Sequence, residues 1–270
     1  MIITTAAAED VAKIKEIWVD IFGDSKDFAD FAVNIGAVEE IYLIKENDEI
    51  AAMLTAGIDV FADVEKGFYI YGLATVPQYR GKGFAKQLVQ YVCDKKLSEG
   101  YKFAITQPAQ ESLFDFYRSL GFDGTTYLRK CTVNIKRNLW ATAAFDAVTA
   151  SRFKQARDKY AEDTVVHFSK AGYEKFAQYL YSEGGSTAET DKAYCVYFEK
   201  PDKIEVRDLF ADCTFNAMTL LQAVRERTGK ETAEIQLSQN SQLFLGEGKL
   251  VPHCAVKNLD KDLYANIMFD

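Results

Sequence analysis

The sequence is short of histidine: only His167 and His253 occur in 270 residues. A histidine-based metal site or a Ser-His-Asp triad is therefore poorly supported. Its five cysteines, Cys93, Cys131, Cys195, Cys213 and Cys254, are odd in number, widely spaced and form no C-x-x-C pair. That excludes a disulfide framework and fits a reducing cytoplasm, with thiols serving as small core hydrophobes. No apolar run approaches the roughly 20 residues that span a bilayer, so no membrane is expected as a partner. The start, Met1 to Thr5, has no basic stretch ahead of an apolar one, and no signal peptide is expected. Positive charge is in deficit, with 32 Lys and Arg against 40 Asp and Glu and a net charge of −8. That balance argues against nucleic acid as the main partner and is compatible with a cationic small-molecule substrate.

What is abundant is material for a core. Apolar residues make up 48% of the chain, with 19 Phe and 15 Tyr, which excludes general disorder. The length suits one large domain or two small ones.

The apolar pattern reads as two halves. Val11, Ile14, Ile17, Trp18, Ile21 and Phe22 predict a helix over 6–22, with Thr5 as its cap and Gly23 as its stop. A second helix is expected over about 26–35. Strands follow at 41–44, 50–60 and 68–75, joined by hairpin turns. A helix with Phe84, Leu88, Val89 and Val92 on one face then leads to a strand at 103–106, a parallel crossover. Pro108 and Gln110 open another helix, Gly121 closes it, and 122–135 read as a final hairpin. Residues 136–150 read as a linker. Beyond it, helices at about 150–160 and 169–182, a hairpin at 194–210, a helix at 217–227 and a strand at 233–237 repeat the order of the first half. The expected fold is α+β, a mixed, mainly antiparallel sheet with flanking helices in 1–136, followed by a degenerate second copy in 137–270.

The chemistry is expected in the segment Arg80-Gly81-Lys82-Gly83-Phe84-Ala85, between a strand and a helix start. First-turn amides of a helix have no internal partner and favour an anion. Glycine lets the backbone come close to a phosphate, and Arg80, Lys82 and Lys86 gather positive charge there. The segment is neither a nucleotide-hydrolysing P-loop nor a G-x-G-x-x-G fingerprint. Residue types alone also allow a tight glycine turn with solvated basic side chains.

Leu73 to Ala85 resembles the acetyl-CoA motif of the GNAT superfamily of N-acetyltransferases, Arg/Gln-x-x-Gly-x-Gly/Ala, which falls on Arg80, Gly83 and Ala85. Leu113 to Phe122 resembles that family's helix ending in Tyr-x-x-x-Gly-Phe, which places Tyr117 at its tyrosine. The resemblance covers about residues 1–135. It implies that the backbone of Leu73, Ala74 and Thr75 pairs with the pantetheine arm of acetyl-CoA. It also implies that Gly81, Lys82, Gly83, Phe84 and Ala85 cradle the pyrophosphate, with charge from Arg80, Lys82 and Lys86. Gln110 stands where relatives often have an Asn that contacts the cofactor arm. Tyr117 is implied to be the general acid to the CoA thiolate after an amine attacks directly in a ternary complex. The implied acceptor is a small-molecule or peptide amine, with no metal.

The strand 68–75 carries no carboxylate, so the base is left among a water chain, the acids Asp20, Asp24, Asp27 and Asp30, and the C-terminal carboxylate of Asp270. The competing readings are a non-catalytic acyl-CoA-binding or sensor protein, which the missing base favours, and an interaction protein. In the second half the loop position reads Ala211-Asp212-Cys213-Thr214-Phe215-Asn216, without Gly, Arg or Lys. That copy is expected not to bind CoA and to cover the acceptor site or mediate homodimerisation. The arrangement is similar to enhanced-intracellular-survival type acetyltransferases, which carry a further sterol-carrier-like domain that this chain is too short to hold.

Overall fold

A computed structural model describes residues 1–146, 149–161, 163–266 and 268–269. The chain divides into two compact units, Met1–Gly124 with Ala255–Asp260, and Thr125–Cys254 with Lys261–Asp270.

The first unit contains strands β1 (Ile2–Thr5), β2 (Ile41–Glu46), β3 (Glu49–Ala62), β4 (Glu65–Thr75) and β5 (Phe103–Thr106), with helices α1 (Val11–Phe22), α2 (Lys26–Val33), α3 (Phe84–Ser98) and α4 (Leu113–Arg118). The sheet order is β1-β2-β3-β4-β5, antiparallel throughout except for the parallel pair β4–β5. The next position beside β5 is taken by Ala255, Val256 and Lys257, running antiparallel to it. Alternation along β2 separates two cores. Ile41 and Leu43 join Ile14, Ile17, Trp18, Ala29, Ala32 and Val33 of α1 and α2. Tyr42 and Ile44 join Leu88, Val89 and Val92 of α3 and Phe114 and Tyr117 of α4.

Helix ends follow local chemistry. Gly23, at φ 77°, stops α1 with its amide on the Val19 carbonyl. The Ser25 hydroxyl accepts the Phe28 amide at the start of α2. The expected cap Thr5 instead lies on β1 opposite Tyr42, and the chain makes one 3-10 turn at Ala8–Asp10 before α1 begins. The Asp10 carboxylate accepts the Ala7 amide there and pairs with Lys45 at 2.6 Å. Helix α4 starts at Leu113 rather than at Pro108 or Gln110, because 107–112 remain in turns.

The second unit contains β6 (Gly124–Asn134, entering from the first unit), β7 (Ala144–Phe145), α5 (Ala150–Tyr160), β8 (Thr164–Phe168), α6 (Lys170–Ser182), β9 (Gly185–Glu189), β10 (Ala193–Glu199), β11 (Ile204–Ala211), α7 (Thr214–Thr228), β12 (Thr232–Ser238), β13 (Gly248–Lys257, whose last three residues are the strand beside β5) and β14 (Leu263–Tyr264). Its main sheet runs β7-β9-β10-β11-β12-β6, again antiparallel except for one parallel pair, β11–β12. The order and sense of the first unit are thus reproduced strand for strand. The expected hairpin over 122–135 is absent: β6 is one strand, and it pairs with β12 from Leu128↔Ser238 to Asn134↔Thr232. The segment read as a linker, 136–150, holds β7, and Asn138 donates its amide side chain to Gln222 at 2.8 Å.

Each unit therefore takes its sixth strand from a distant place in the sequence. The strand that follows α4 serves the second unit, and the strand that follows β12 serves the first.

Candidate functional site

The site begins where two parallel strands part. The β4–β5 ladder runs from Gly67↔Phe103 to Ile70↔Thr106 and stops, while β4 continues to Thr75. On its other side β4 stays paired with β3, at Tyr71↔Thr55, Ala74↔Met53 and Thr75↔Ala52, with register shifts in between. The backbone of Leu73 to Thr75 therefore faces the β5 side with no ladder partner among the described residues. Gly72 sits in the irregular stretch at φ +62°. A Cβ there would lie 2.4 Å from the Trp18 indole, so a side chain is excluded by both conformation and space. The indole is held from behind, its Nε1 donating to Asp24 at 2.8 Å.

The loop after β4 makes a 3-10 turn at Pro77–Tyr79 and then places Gly81 and Gly83 at φ 79° and 77°. Gly83 occupies the cap position of α3, and no side chain caps that end. The first amides of α3, at Phe84, Ala85 and Lys86, thus lack helical acceptors at an exposed surface. Phe84 is buried and anchors the helix start to the core.

The basic residues are partly engaged. Lys82 pairs with Glu46 at 3.0 Å and lies 5.0 Å from the Tyr79 ring centre, and the Tyr79 hydroxyl donates to Glu49 at 2.7 Å. Arg80 donates its Nε to the Thr75 carbonyl at 3.2 Å, tying the loop to the open strand end. Lys86 is exposed on the first turn of α3. The acids Glu46 and Glu49, at the β2–β3 turn, were missed by sequence reasoning because nothing local links them to the loop.

Tyr117 lies on α4, 5% exposed. Its ring packs edge-on against Phe122 at 5.4 Å and Phe116 at 5.1 Å. Burial pushes its phenol above the ordinary tyrosine range, and a hydrogen bond with Thr106 opposes the rise. Thr106 donates its own hydroxyl to the Ile70 carbonyl at 3.0 Å. Tyr117 is thereby fixed to the last rung before the strands part. Thr106 was legible as the end of a strand but not as a partner of Tyr117. Gln110 is exposed in the turn before α4, its carbonyl accepting the Leu113 amide at 3.0 Å.

The proposed bases are scattered. Asp24 is engaged by Trp18 and Asp30 by Lys15 at 2.7 Å. Asp20 lines an open cleft of about 540 Å³ with Asp10, Lys13, Asp48 and Glu49, beside Val76 to Gln78. Asp270 lies outside the described residues. Among the described residues no group of three or more His, Cys, Asp or Glu is placed to hold a metal ion. No described helix is long and apolar enough to cross a membrane.

Comparison with known proteins places this geometry. Residues 11–122 match the acetyltransferase (GNAT) family. In fold the chain is similar to the GCN5-related N-acetyltransferase from Kribbella flavida, at 18% identity and TM-score 0.73, covering 94% of this chain and 70% of that one. It is similar to the GCN5-related N-acetyltransferase from Anabaena variabilis, at 15% identity and TM-score 0.74, covering 95% and 72%. It also resembles Eis1 from Mycobacterium abscessus, at 10% identity and TM-score 0.71, covering 96% and 74%. No curated protein sequence matches the chain. The family match covers residues 11–122, which lie within the first unit, and the solved structures share the fold of the chain. Members of that family are acyltransferases that use acetyl-CoA as cosubstrate.

Proposed function

We propose that the first unit moves an acetyl group from acetyl-CoA to a primary amine by direct attack in a ternary complex, with Tyr117 as general acid. The observation that carries this reading is the closed end of the parting strands. There, one hydroxyl bridge from Ile70 through Thr106 reaches the Tyr117 phenol.

The residues present suit the cosubstrate. The backbone of Leu73, Ala74 and Thr75, paired with β3 on one side, is open on the β5 side to the pantetheine arm. The uncapped amides of α3, reached through Gly81 and Gly83, suit a pyrophosphate. Arg80, Lys82 and Lys86 supply charge, and Gln110 lies exposed ahead of α4, where it can bond the arm. Acetyl-CoA supplies a thioester whose carbonyl carbon accepts the amine and whose sulfur leaves.

Tyr117 holds its proton at neutral pH, since burial favours the uncharged phenol. It gives that proton to the departing sulfur, and bulk water restores it. The amine loses its extra proton to water or to an acid residue bordering the acceptor, for which Asp20 is placed in the open cleft.

The second unit is read as a degenerate copy that does not take CoA. Its β11 is followed at once by Asp212–Cys213 and α7, with no glycine loop. The Asp212 carboxylate accepts from Asn216 at 2.6 Å at that helix start. Residues 239–247 run without a helix where the first unit has α4. Beside Leu209 to Ala211 the cleft holds only about 20 Å³, closed by Ser241 and Leu243.

The test is thiol release from acetyl-CoA across a panel of polyamines, amino acids, aminoglycosides and peptides. Turnover with at least one amine is expected, and Tyr117→Phe lowers its kcat about 100-fold with CoA binding retained. Full activity in that variant removes Tyr117 as the acid, and CoA binding without thiol release overturns the catalytic reading.

A further inference from the structure

We propose that Thr106 and Lys257 are positioning residues for Tyr117, delivered or braced by the strand Ala255–Lys257; this rests on Tyr117 being the acid. Helix α4 has only six residues, Leu113–Arg118. So short a helix has little stability of its own, and its hold on Tyr117 comes from what grips its ends.

At its C-terminal end the Tyr117 carbonyl accepts the amides of Leu120 at 2.9 Å and Phe122 at 3.2 Å. The Leu120 carbonyl in turn accepts the Lys257 ammonium at 2.6 Å. Gly121 makes the approach possible: at φ +82°, a Cβ there would lie 2.9 Å from Lys257 Nζ. The Gly-Phe pair that closes α4 thus admits the lysine and supplies the ring packed on Tyr117. Lys257 Nζ lies 5.8 Å from the centre of that Phe122 ring.

At the other side, the phenol is held by Thr106. Thr106 faces Ala255 in the ladder, and Lys257 faces Ala104. One short strand therefore braces both attachments of the tyrosine, the hydroxyl partner and the helix end. Without it, β5 would carry Thr106 on an open edge.

The experiment compares Lys257→Met with Lys257→Arg, and Thr106→Val with Thr106→Ser, each alone and combined with Tyr117→Phe. Lys257→Met and Thr106→Val are expected to lower kcat about tenfold, with the KM for acetyl-CoA within about twofold. The conservative variants restore most of it, since each keeps its donor. In the Tyr117→Phe background neither substitution lowers kcat further. Wild-type kcat in both variants, or equal losses in the two backgrounds, overturns the proposal. If Tyr117→Phe itself keeps full activity, the acid assignment fails while the positioning stays readable by fluorine NMR of fluorotyrosine-labelled protein. The Tyr117 resonance, assigned by its loss in Tyr117→Phe, then shifts in Lys257→Met but not in Lys257→Arg. An unshifted resonance in Lys257→Met overturns the positioning.

Discussion

The two units solve the same packing problem with opposite chemistry at one place. Counted from the last parallel pair, Ile70↔Thr106 in the first unit and Val206↔Ile235 in the second, Gly72 and Asp208 occupy the same position. Each faces the eighth residue of a helix, Trp18 on α1 or Arg157 on α5. In the first unit an indole lies against bare backbone. In the second, a guanidinium lies 3.4 Å from a carboxylate, and both side chains are fully buried. Burial pushes the Asp208 carboxyl up, against the pull of Arg157 and of the Tyr264 hydroxyl, which donates to it at 2.9 Å. Arg157 also donates to the Val166 carbonyl and the Tyr173 hydroxyl. Strand order survives in both units because it depends on pairing and apolar alternation. The parting of the parallel strands also recurs, since the β11–β12 ladder stops at Val206↔Ile235 while β11 runs on to Ala211, but the glycine loop beyond it does not.

Substitutions can break this comparison from either side. The largest effect is expected for Asp208→Ala, which leaves the Arg157 charge buried and alone and costs about 3–5 kcal/mol. Hydrogen exchange read peptide by peptide will show the loss in 125–254. The pair Arg157→Met with Asp208→Leu recovers most of it, because apolar groups of similar volume need no partner.

Acid provides the next test, since both histidines lie in the second unit. Burial holds His167 and His253 down to about 4, with Arg157 and Lys154 adding to the effect at His167 against Asp158, and Lys130 and Arg207 adding to it at His253. An imidazole with a depressed folded value stabilises the fold above its ordinary value near 6.5. That stability is lost as pH falls toward 4, on the order of 3 kcal/mol for each imidazole. Exchange protection should therefore fall first in the second unit between pH 6.5 and 4; equal loss in both units would falsify the assignment.

In the first unit, Gly72→Ala drives a methyl group into the Trp18 ring at positive φ. It should cost about 1–3 kcal/mol by thermal melting and lower turnover with it. Smallest is the loop. Arg80→Ala with Lys82→Ala should weaken CoA binding about tenfold, less in high salt, by calorimetry. Asp212→Ala in the second unit should leave that binding unchanged.

Much of this was legible in the sequence, and the reasons differ by element. Helices α3 and α7 and strands β4, β5, β10 and β11 stand out because their periodicity and breakers are local. The loop from Arg80 to Ala85 and the position of Tyr117 were readable for the same reason, as short motifs within one segment. The destination of β6 was not, because residues 124–134 look the same whether they pair with the preceding strand or with β12. Nor could periodicity show that Asp208 is buried, since a lone acid in an apolar run reads as a solvated face until Arg157 is placed beside it. Thr106 on Tyr117 and Lys257 on Leu120 are tertiary pairings that leave no signal in either segment.

The exchanged strands also order events in time. Lys257 meets the Leu120 carbonyl across a sequence separation of 137 residues. At ribosomal speed that interval is on the order of ten seconds. Throughout it, β5 presents an unpaired edge to the cell. The first unit thus stays open beside β5 until Ala255–Lys257 has been made. A truncated chain, even one that carries every residue from Leu73 to Tyr117, would be left with an adhesive edge and a slack α4. The bracing of Tyr117 therefore waits for a strand made long after the helix that carries it.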